Sequence, residues 1–255
     1  MLAEERHSII IDEISRQPAV TIKYLTKLLG VSRETVRKDI EHLSQMRKLH
    51  QVRGGAVPIL TTELPIADRV QTNPKGKEII ADMVVDRIAD GTSVIIDSGS
   101  TTLVVARKLA ERRKDLTVYT NDLQVALTIG PSVRELIVLG GRLDPRDNSI
   151  FGLEAMEHLQ RYHAEFALIG TGGVSEKNLV TDFTRETSAM RELMMASAET
   201  ALVLADSSKF GVVARVGLSM LANTTLLLDR APNKTISAAL QAANIRMEYP
   251  GQLGK

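Results

Sequence analysis

The sequence predicts an α/β chain in two unequal parts. A small helical domain closed by a β-hairpin occupies residues 1–57, a linker covers 58–75, and a larger domain built on a mostly parallel sheet covers 76–255. Three observations predict this. The first part combines helix-period apolar spacing with a glycine turn. Pro58, Pro65 and Pro74 then punctuate a polar stretch. Beyond it, apolar runs of strand length alternate with segments of helical period, the pattern of a parallel sheet covered on both faces.

In the first part, Leu2, Ile9, Ile10 and Ile14 form one helical stripe, which Pro18 is expected to close. A short helix follows over Ile22 to Leu29, with Leu25, Leu28 and Leu29 facing inward. Gly30 suits the left-handed residue after a helix end, Val31 plugs the turn, and Ser32 caps a third helix from Arg33 to Arg47. Val36, Ile40 and Leu43 give that helix an apolar face. Arg33, Thr35, Arg37 and Lys38 lie opposite, as on a helix that enters the major groove of a duplex. Leu49 to Val52 and Ala56-Val57 flank Arg53-Gly54-Gly55, a hairpin with a basic tip. The candidate DNA contacts are therefore Thr21, Ser32, Arg33, Thr35, Arg37, Lys38, His50, Arg53 and Gly54.

The larger part offers a helix around Ile79 to Ile88, then strands at Val94–Ile96, Leu116–Tyr119, Leu136–Leu139, Phe166–Ile169, Ala201–Leu204 and Leu226–Leu228. Helices are expected near Thr102–Arg112, Leu123–Ile129, Leu153–Leu159, Thr187–Ala198 and Asn233–Ala243. Ligands of such sheets bind at the carboxyl ends of the strands. Those ends carry Asp97, Ser98, Gly99, Ser100, Thr101 and Thr102; Asn121; Gly141 and Arg142; Gly172; and Lys209. A Gly-Ser-Thr-Thr turn opening a helix presents backbone N–H groups and hydroxyls to a phosphate. Lys209 would neutralise that phosphate. Arg142 would fork onto it or pair locally with Asp144 or Asp147. Asp97, Asn121 and Asp182 would accept hydrogen bonds from sugar hydroxyls. Against this stands the ordinary preference of βα turns for Gly, Ser, Thr and Asn.

Composition narrows the classes. Hydrophobic residues make up 44% and aromatics 3%, with no Trp, so the core is aliphatic. The absence of Cys excludes disulfides, thiolate nucleophiles and Cys-ligated zinc, and fits a reducing cytoplasm. The N-terminal residues lack the apolar run of a signal peptide, and no stretch approaches the roughly 18 apolar residues of a membrane span. Residues 1–57 hold ten Lys and Arg against seven Asp and Glu; the remainder holds 22 against 24. This division suits a DNA reader joined to a metabolite sensor. A phosphate-binding Gly-x4-Gly-Lys-Ser/Thr loop, a Gly-x-Gly-x-x-Gly turn and His-Glu-x-x-His spacing are all missing, so no cofactor or metal is expected.

Leu29-Gly30-Val31-Ser32, Thr35-Val36-Arg37-Lys38-Asp39-Ile40 and Gly54-Gly55-Ala56 closely resemble the DNA-binding signature of DeoR-family regulators, a winged helix-turn-helix. The stretch His50-Gln51-Val52-Arg53 departs slightly from the family pattern. Further on, Arg69, Asn73, Lys77, Asp97 to Thr102, Thr120-Asn121, Leu139-Gly140-Gly141, Gly152 and Asp206 to Gly211 resemble the family's sensor domain. The resemblance implies a fold similar to ribose-5-phosphate isomerase, with a phosphate site at Gly99–Thr102 and Lys209. Thr181 to Glu186 loosely resembles the glycerol-3-phosphate-responsive branch. The expected function is a transcriptional repressor of a carbohydrate or polyol catabolic operon. Its partners would be double-stranded operator DNA, a phosphorylated sugar or polyol effector, and further copies of itself in a homo-oligomer. The alternative is a sugar-phosphate isomerase-like enzyme, for which Asp182 or Glu186 would be the base. The attached DNA reader argues for sensing rather than catalysis.

Overall fold

The computed structural model describes residues 1–16, 19–46, 48–52, 54–58 and 63–251. The first part contains α1 (Ala3–Arg16), β1 (Val20–Thr21), α2 (Ile22–Leu29), α3 (Arg33–Gln45), β2 (His50–Val52) and β3 (Gly55–Val57). Ile10, Ile14, Leu25, Leu29, Val36, Ile40 and Leu43 pack into one core. Gly30 closes α2 with φ +64°, and the Ser32 hydroxyl caps α3 by accepting from the Thr35 amide at 3.1 Å. Thr21 caps α2 in the same way, accepting from the Tyr24 amide at 3.1 Å. Leu28 does not face inward as expected but is 45% exposed. Leu25 and Leu29 sit four residues apart on the buried line of this short helix, and Leu28 falls beside that line. Pro18, expected to close α1, lies outside the described residues.

An ion pair ties α1 to α3. The Arg6 guanidinium donates to both Asp39 oxygens at 2.8 and 2.9 Å, and His7 Nε2 lies 3.0 Å from Asp39 Oδ1. Burial pushes the Asp39 carboxyl up, but the bonds from Arg6 and His7 outweigh it and hold the group below its ordinary range. The wing places β3 between β1 and β2, antiparallel to both. Gly55 is required by close approach, because a Cβ there would sit 2.0 Å from the Val20 carbonyl oxygen.

The stretch read as linker contains α4 (Ile66–Gln71) and the start of α5 (Pro74–Val85). The chain continues through β4 (Ser93–Ile96), α6 (Ser100–Arg112), β5 (Thr117–Thr120), α7 (Leu123–Ile129), β6 (Glu135–Val138), β7 (Arg142–Asp144), β8 (Ser149–Phe151) and α8 (Leu153–Leu159). It ends through β9 (Ala164–Ile169), β10 (Gly173–Ser175), β11 (Leu179–Asp182), α9 (Arg185–Ala196), β12 (Ala198–Ala205), β13 (Val216–Gly217), β14 (Thr224–Leu228), α10 (Lys234–Ala242) and β15 (Arg246–Glu248).

Among the described residues, β15, β14, β12, β9, β4, β5 and β6 form, in that order, a seven-stranded sheet whose neighbouring strands are all parallel. Each apolar run expected as a strand lies in it. Edge strand β15 and the small antiparallel pairings of β7 with β8 and of β10, β11 and β13 were not foreseen. Their few residues offer no run long enough to show a period. Along β4, Ile95 enters the core on one face, while Val94 and Ile96 enter the core on the other. From β4 the chain lays β5 and β6 to one side and β9, β12, β14 and β15 to the other. The strand order therefore reverses between β4 and β9, and a crevice opens at their carboxyl ends.

Candidate functional site

The outer face of α3 carries Arg33, Arg37 and Lys38, all exposed, opposite the buried Val36, Ile40 and Leu43. Thr35 is half-buried, with its hydroxyl 2.9 Å from that of Ser32. The two hydroxyls order the first turn together. Arg37 lies 3.9 Å from Glu34, and both side chains are more than 60% exposed, at 64% and 67%. Such a pair contributes little and leaves the guanidinium available. Beside this helix, Gly54 stands exposed at φ +90°, and its carbonyl accepts from the Ile22 amide at 2.8 Å. His50 lies on β2, but its side chain is outside the described set, as is Arg53.

At the reversal point, Asp97 follows β4, and its Oδ2 accepts from the Gly170 amide, after β9, at 3.0 Å. The same oxygen accepts from Arg191 Nε at 2.7 Å, and Arg191 Nη1 donates to Asp182 Oδ2. All three side chains are buried. Burial works against the Arg191 charge, yet Asp182 and Asp97 hold its pKa above the usual range. Burial pushes the Asp182 carboxyl up, and Arg191 opposes that push. These carboxylates, expected to meet sugar hydroxyls, are thus joined to a cation that the sequence reading did not assign. Asn121 is also buried. It accepts from the Ser98 amide at 3.0 Å and donates to the Ile150 carbonyl at 3.3 Å, fastening the first βα turn to β8.

Gly99 opens α6 at φ +152° and makes no side-chain cap, so the first turn of this helix keeps uncapped backbone donors. Thr102 Oγ1 donates to the Gly99 carbonyl at 2.9 Å, and Ser98 and Thr101 are buried nearby. Next to α7, Asp122 accepts from the amides of Gln124 and Val125 at 2.7 and 3.0 Å. Burial pushes its carboxyl up to about 6 despite those bonds. Arg142 pairs with Glu186 at 2.8 Å rather than with Asp144 or Asp147. Asp144 holds Arg146 at 2.9 Å, and Asp147 lies 3.0 Å from Arg69. Gly141 precedes this arginine with φ +139°, where a Cβ would meet the Phe151 carbonyl at 2.6 Å.

A cavity of about 620 Å³ lies over this edge of the sheet. Of the candidate effector residues, Ser100, Gly172 and Lys209 line it. Arg69, Lys77, Glu63, Ser207, Ser208 and Phe183 also contribute, and Ala19, Val57 and Pro58 bring in the DNA-reading part. Lys77 is 2% exposed, donates to the carbonyls of Arg69 and Thr72, and stands 4.0 Å from Asp206. Burial lowers its pKa, and Asp206 opposes that effect. Burial also lowers the Lys209 pKa, against the pull of Glu63. Asn73 takes a left-handed backbone (φ 45°) and caps α5 with its Oδ1. Its Nδ2 donates to Asp206 at 2.8 Å, to Ser207 at 3.2 Å and to Asp229 at 3.3 Å, fixing the cavity floor.

Asp97, Ser98, Gly99, Thr101, Thr102, Asn121, Gly141, Arg142 and Asp182 do not line this cavity. Several shape the turns behind it. Glu63 carried no signal in the sequence, and Ser207 and Ser208 were read only as part of the hydroxylic loop that ends in Lys209. Arg69 and Lys77 stood out through family resemblance alone.

The description "DeoR-like helix-turn-helix domain" matches residues 6–62, and "DeoR C terminal sensor domain" matches residues 72–229. The chain is 30% identical over 251 residues to the HTH-type transcriptional repressor GlcR of Bacillus subtilis, covering 97% of this chain and 96% of that protein. It is 27% identical to the glycerol-3-phosphate regulon repressor of Escherichia coli, over 97% of this chain and 99% of that one. Ribose 5-phosphate isomerase A of Methanocaldococcus jannaschii aligns in structure with a TM-score of 0.39 at 18% identity, over 55% of each chain. No described helix is long and apolar enough to cross a membrane. With both of its parts matched in order, the chain belongs to the DeoR family of helix-turn-helix transcriptional regulators.

Proposed function

We propose that this chain represses a carbohydrate or polyol operon and that a phosphorylated sugar or polyol in the cavity sets its hold on operator DNA. In this reading residues 1–57 read DNA, 58–75 couple the parts, and 76–255 sense the effector. The observation that carries it is the cavity itself: Lys209, Arg69 and the uncapped start of α6 converge on a space also walled by Val57 and Pro58 of the DNA reader. Cations and free helix N–H groups suit a phosphate. A ligand there touches both parts, so it binds unequally to arrangements that differ in how the parts meet, as a change in DNA affinity requires. The chain acts as a homo-oligomer, since helix-turn-helix readers bind half-sites in pairs.

Fluorescence anisotropy with duplexes taken from upstream of the chain's own gene, across a salt series, tests this reading. Arg37→Ala is expected to weaken sequence-specific binding by about 1–3 kcal/mol if the guanidinium reads a base. Unchanged affinity removes Arg37 from the reading face. Lys209→Ala is expected to leave operator affinity intact while flattening its response to phosphorylated sugars and polyols. An unaltered response would remove Lys209 from the effector site.

A further inference from the structure

A carboxyl group of the chain itself already stands in the cavity wall. The Glu63 carboxylate enters the cavity wall beside Lys209 and lies 2.9 Å from Arg69 Nη1. Its side chain is 19% exposed. We infer that Glu63 is the resident counter-anion of the effector cavity and that an anionic effector must displace it, so that ligand binding acts directly on the segment next to the DNA reader. This rests on the phosphate reading of the same cavity.

Two features single out Glu63 among the neighbouring carboxylates. The first is its partners. Asp182 is held by Arg191, and Asp206 accepts from Asn73 and Ser208 at 2.8 and 2.9 Å, so both are built into the sensor floor. Arg69 holds both Glu63 and Asp147, but of the two only Glu63 lines the cavity, where Lys209 also stands. Burial pushes its carboxyl up and Asp182 adds to that push, while Arg69, Lys209 and Arg191 oppose it without reversing it. The carboxylate thus supplies negative charge where desolvated cations need it, at a cost in solvation that a dianion with more acceptor oxygens meets better.

The second feature is its position in the chain. Glu63 is five residues beyond Pro58, and Ala19, Val57 and Pro58 form part of the same wall. Just after it, the Leu64 carbonyl accepts from Arg69 Nε at 2.8 Å, ahead of α4. Leu64 is therefore anchored through its carbonyl, so the Glu63 side chain sits where the sensor part begins, facing the wall that Val57 and Pro58 share. A phosphate beside Lys209 and Arg69 with Glu63 still in place would put like charges together in a poorly solvated space, which is strongly unfavourable. Phosphate and Glu63 compete for the same cations. By linkage, whatever arrangement of the DNA reader keeps Glu63 seated also weakens phosphate binding.

Isothermal titration with inorganic phosphate at fixed ionic strength, on the full chain, tests this. Glu63→Gln keeps the size of the side chain and removes its charge. It is expected to bind phosphate about ten-fold more tightly than the wild type, or better. Damage to the fold would weaken binding, so a gain in affinity is a signature that misfolding does not produce. Glu63→Ala is expected to shift affinity in the same direction. If wild type and Glu63→Gln bind phosphate equally, or the variant binds more weakly, the competition is overturned while the cavity's phosphate reading stands. If none of the three proteins takes phosphate, both fall.

Discussion

Replacing Arg191 with Ala is expected to destabilise the sensor domain by about 3–5 kcal/mol, because it strands two buried carboxylates. Asp97 and Asp182 are both 0% exposed, and Arg191 bonds to each of them. Removing the guanidinium leaves the Gly170 amide for Asp97 and the Phe183 amide, at 2.8 Å, for Asp182. Neither bond neutralises a charge. Burial already pushes the Asp182 carboxyl up, and without Arg191 to oppose that push it would take up a proton in the folded state more readily than in the unfolded chain. The loss should accordingly be largest at neutral pH and shrink as the medium is acidified through the carboxylate range. Thermal denaturation of wild type and Arg191→Ala at several pH values reads this directly. A triple variant, Asp97→Asn with Asp182→Asn and Arg191→Met, removes every charge of the cluster and is expected to recover much of the loss. Equal stability of wild type and Arg191→Ala at pH 7 would show that the cluster does not hold the crevice together.

Asp122→Asn is expected to stabilise the protein above pH 6 and to be nearly neutral below pH 4. The folded-state pKa of Asp122 is pushed up to about 6 by burial, from a model-peptide value of 3.8. A group whose folded pKa lies above its unfolded one contributes its full stability below the unfolded pKa and loses it as pH rises through the folded value. The window therefore runs from about pH 4 to about pH 6, and a shift of this size corresponds to a ceiling of about 3 kcal/mol. Asn at this position keeps an acceptor for the amides of Gln124 and Val125, so the helix cap survives without the buried charge. Loss of the stronger charged acceptor offsets part of the gain, leaving about 1–2 kcal/mol at neutral pH. The measurement is the difference in unfolding free energy between variant and wild type across pH 4 to 8. A flat difference would show that Asp122 titrates alike in the folded and unfolded chain.

Where local pattern governs structure, the sequence was readable. The bounds of α2 are those expected, and Gly30 and Ser32 end and start helices as their conformational and capping preferences dictate. The six apolar runs entered a single sheet because a strand buried on both faces needs nearly continuous apolar residues. Arg33, Arg37 and Lys38 face outward because Val36, Ile40 and Leu43 are drawn inward at helical spacing. Leu28 marks the limit of that reasoning. Its hydrophobicity argued for burial, but the short helix touches the core along a line too narrow to reach it.

The candidate effector site was legible only in part. Ser100, Gly172 and Lys209 follow strand ends and were found by asking what those ends carry. Asp97 and Asp182 were expected to accept hydrogen bonds from the hydroxyls of a ligand, and the structure gives them an internal partner instead. That partner, Arg191, is 94 residues from Asp97 along the chain and 9 from Asp182. Glu63 was missed for the same reason: a single acidic residue between prolines looks like a solvated linker until Arg69 and Lys209 are seen around it.

The order of residues alone determined the main helices, six strands of the parallel sheet, which face of α3 meets water, and the family. These follow from periodicity, caps and turns, all set within a few residues. Only the tertiary structure decided where the strand order reverses, which carboxylates are neutralised internally, and that one of them reaches into the cavity from the stretch joining the two parts. A charge is inert or functional according to what lies within a few ångströms of it, and in this chain those neighbours come from strands and helices far apart along the backbone.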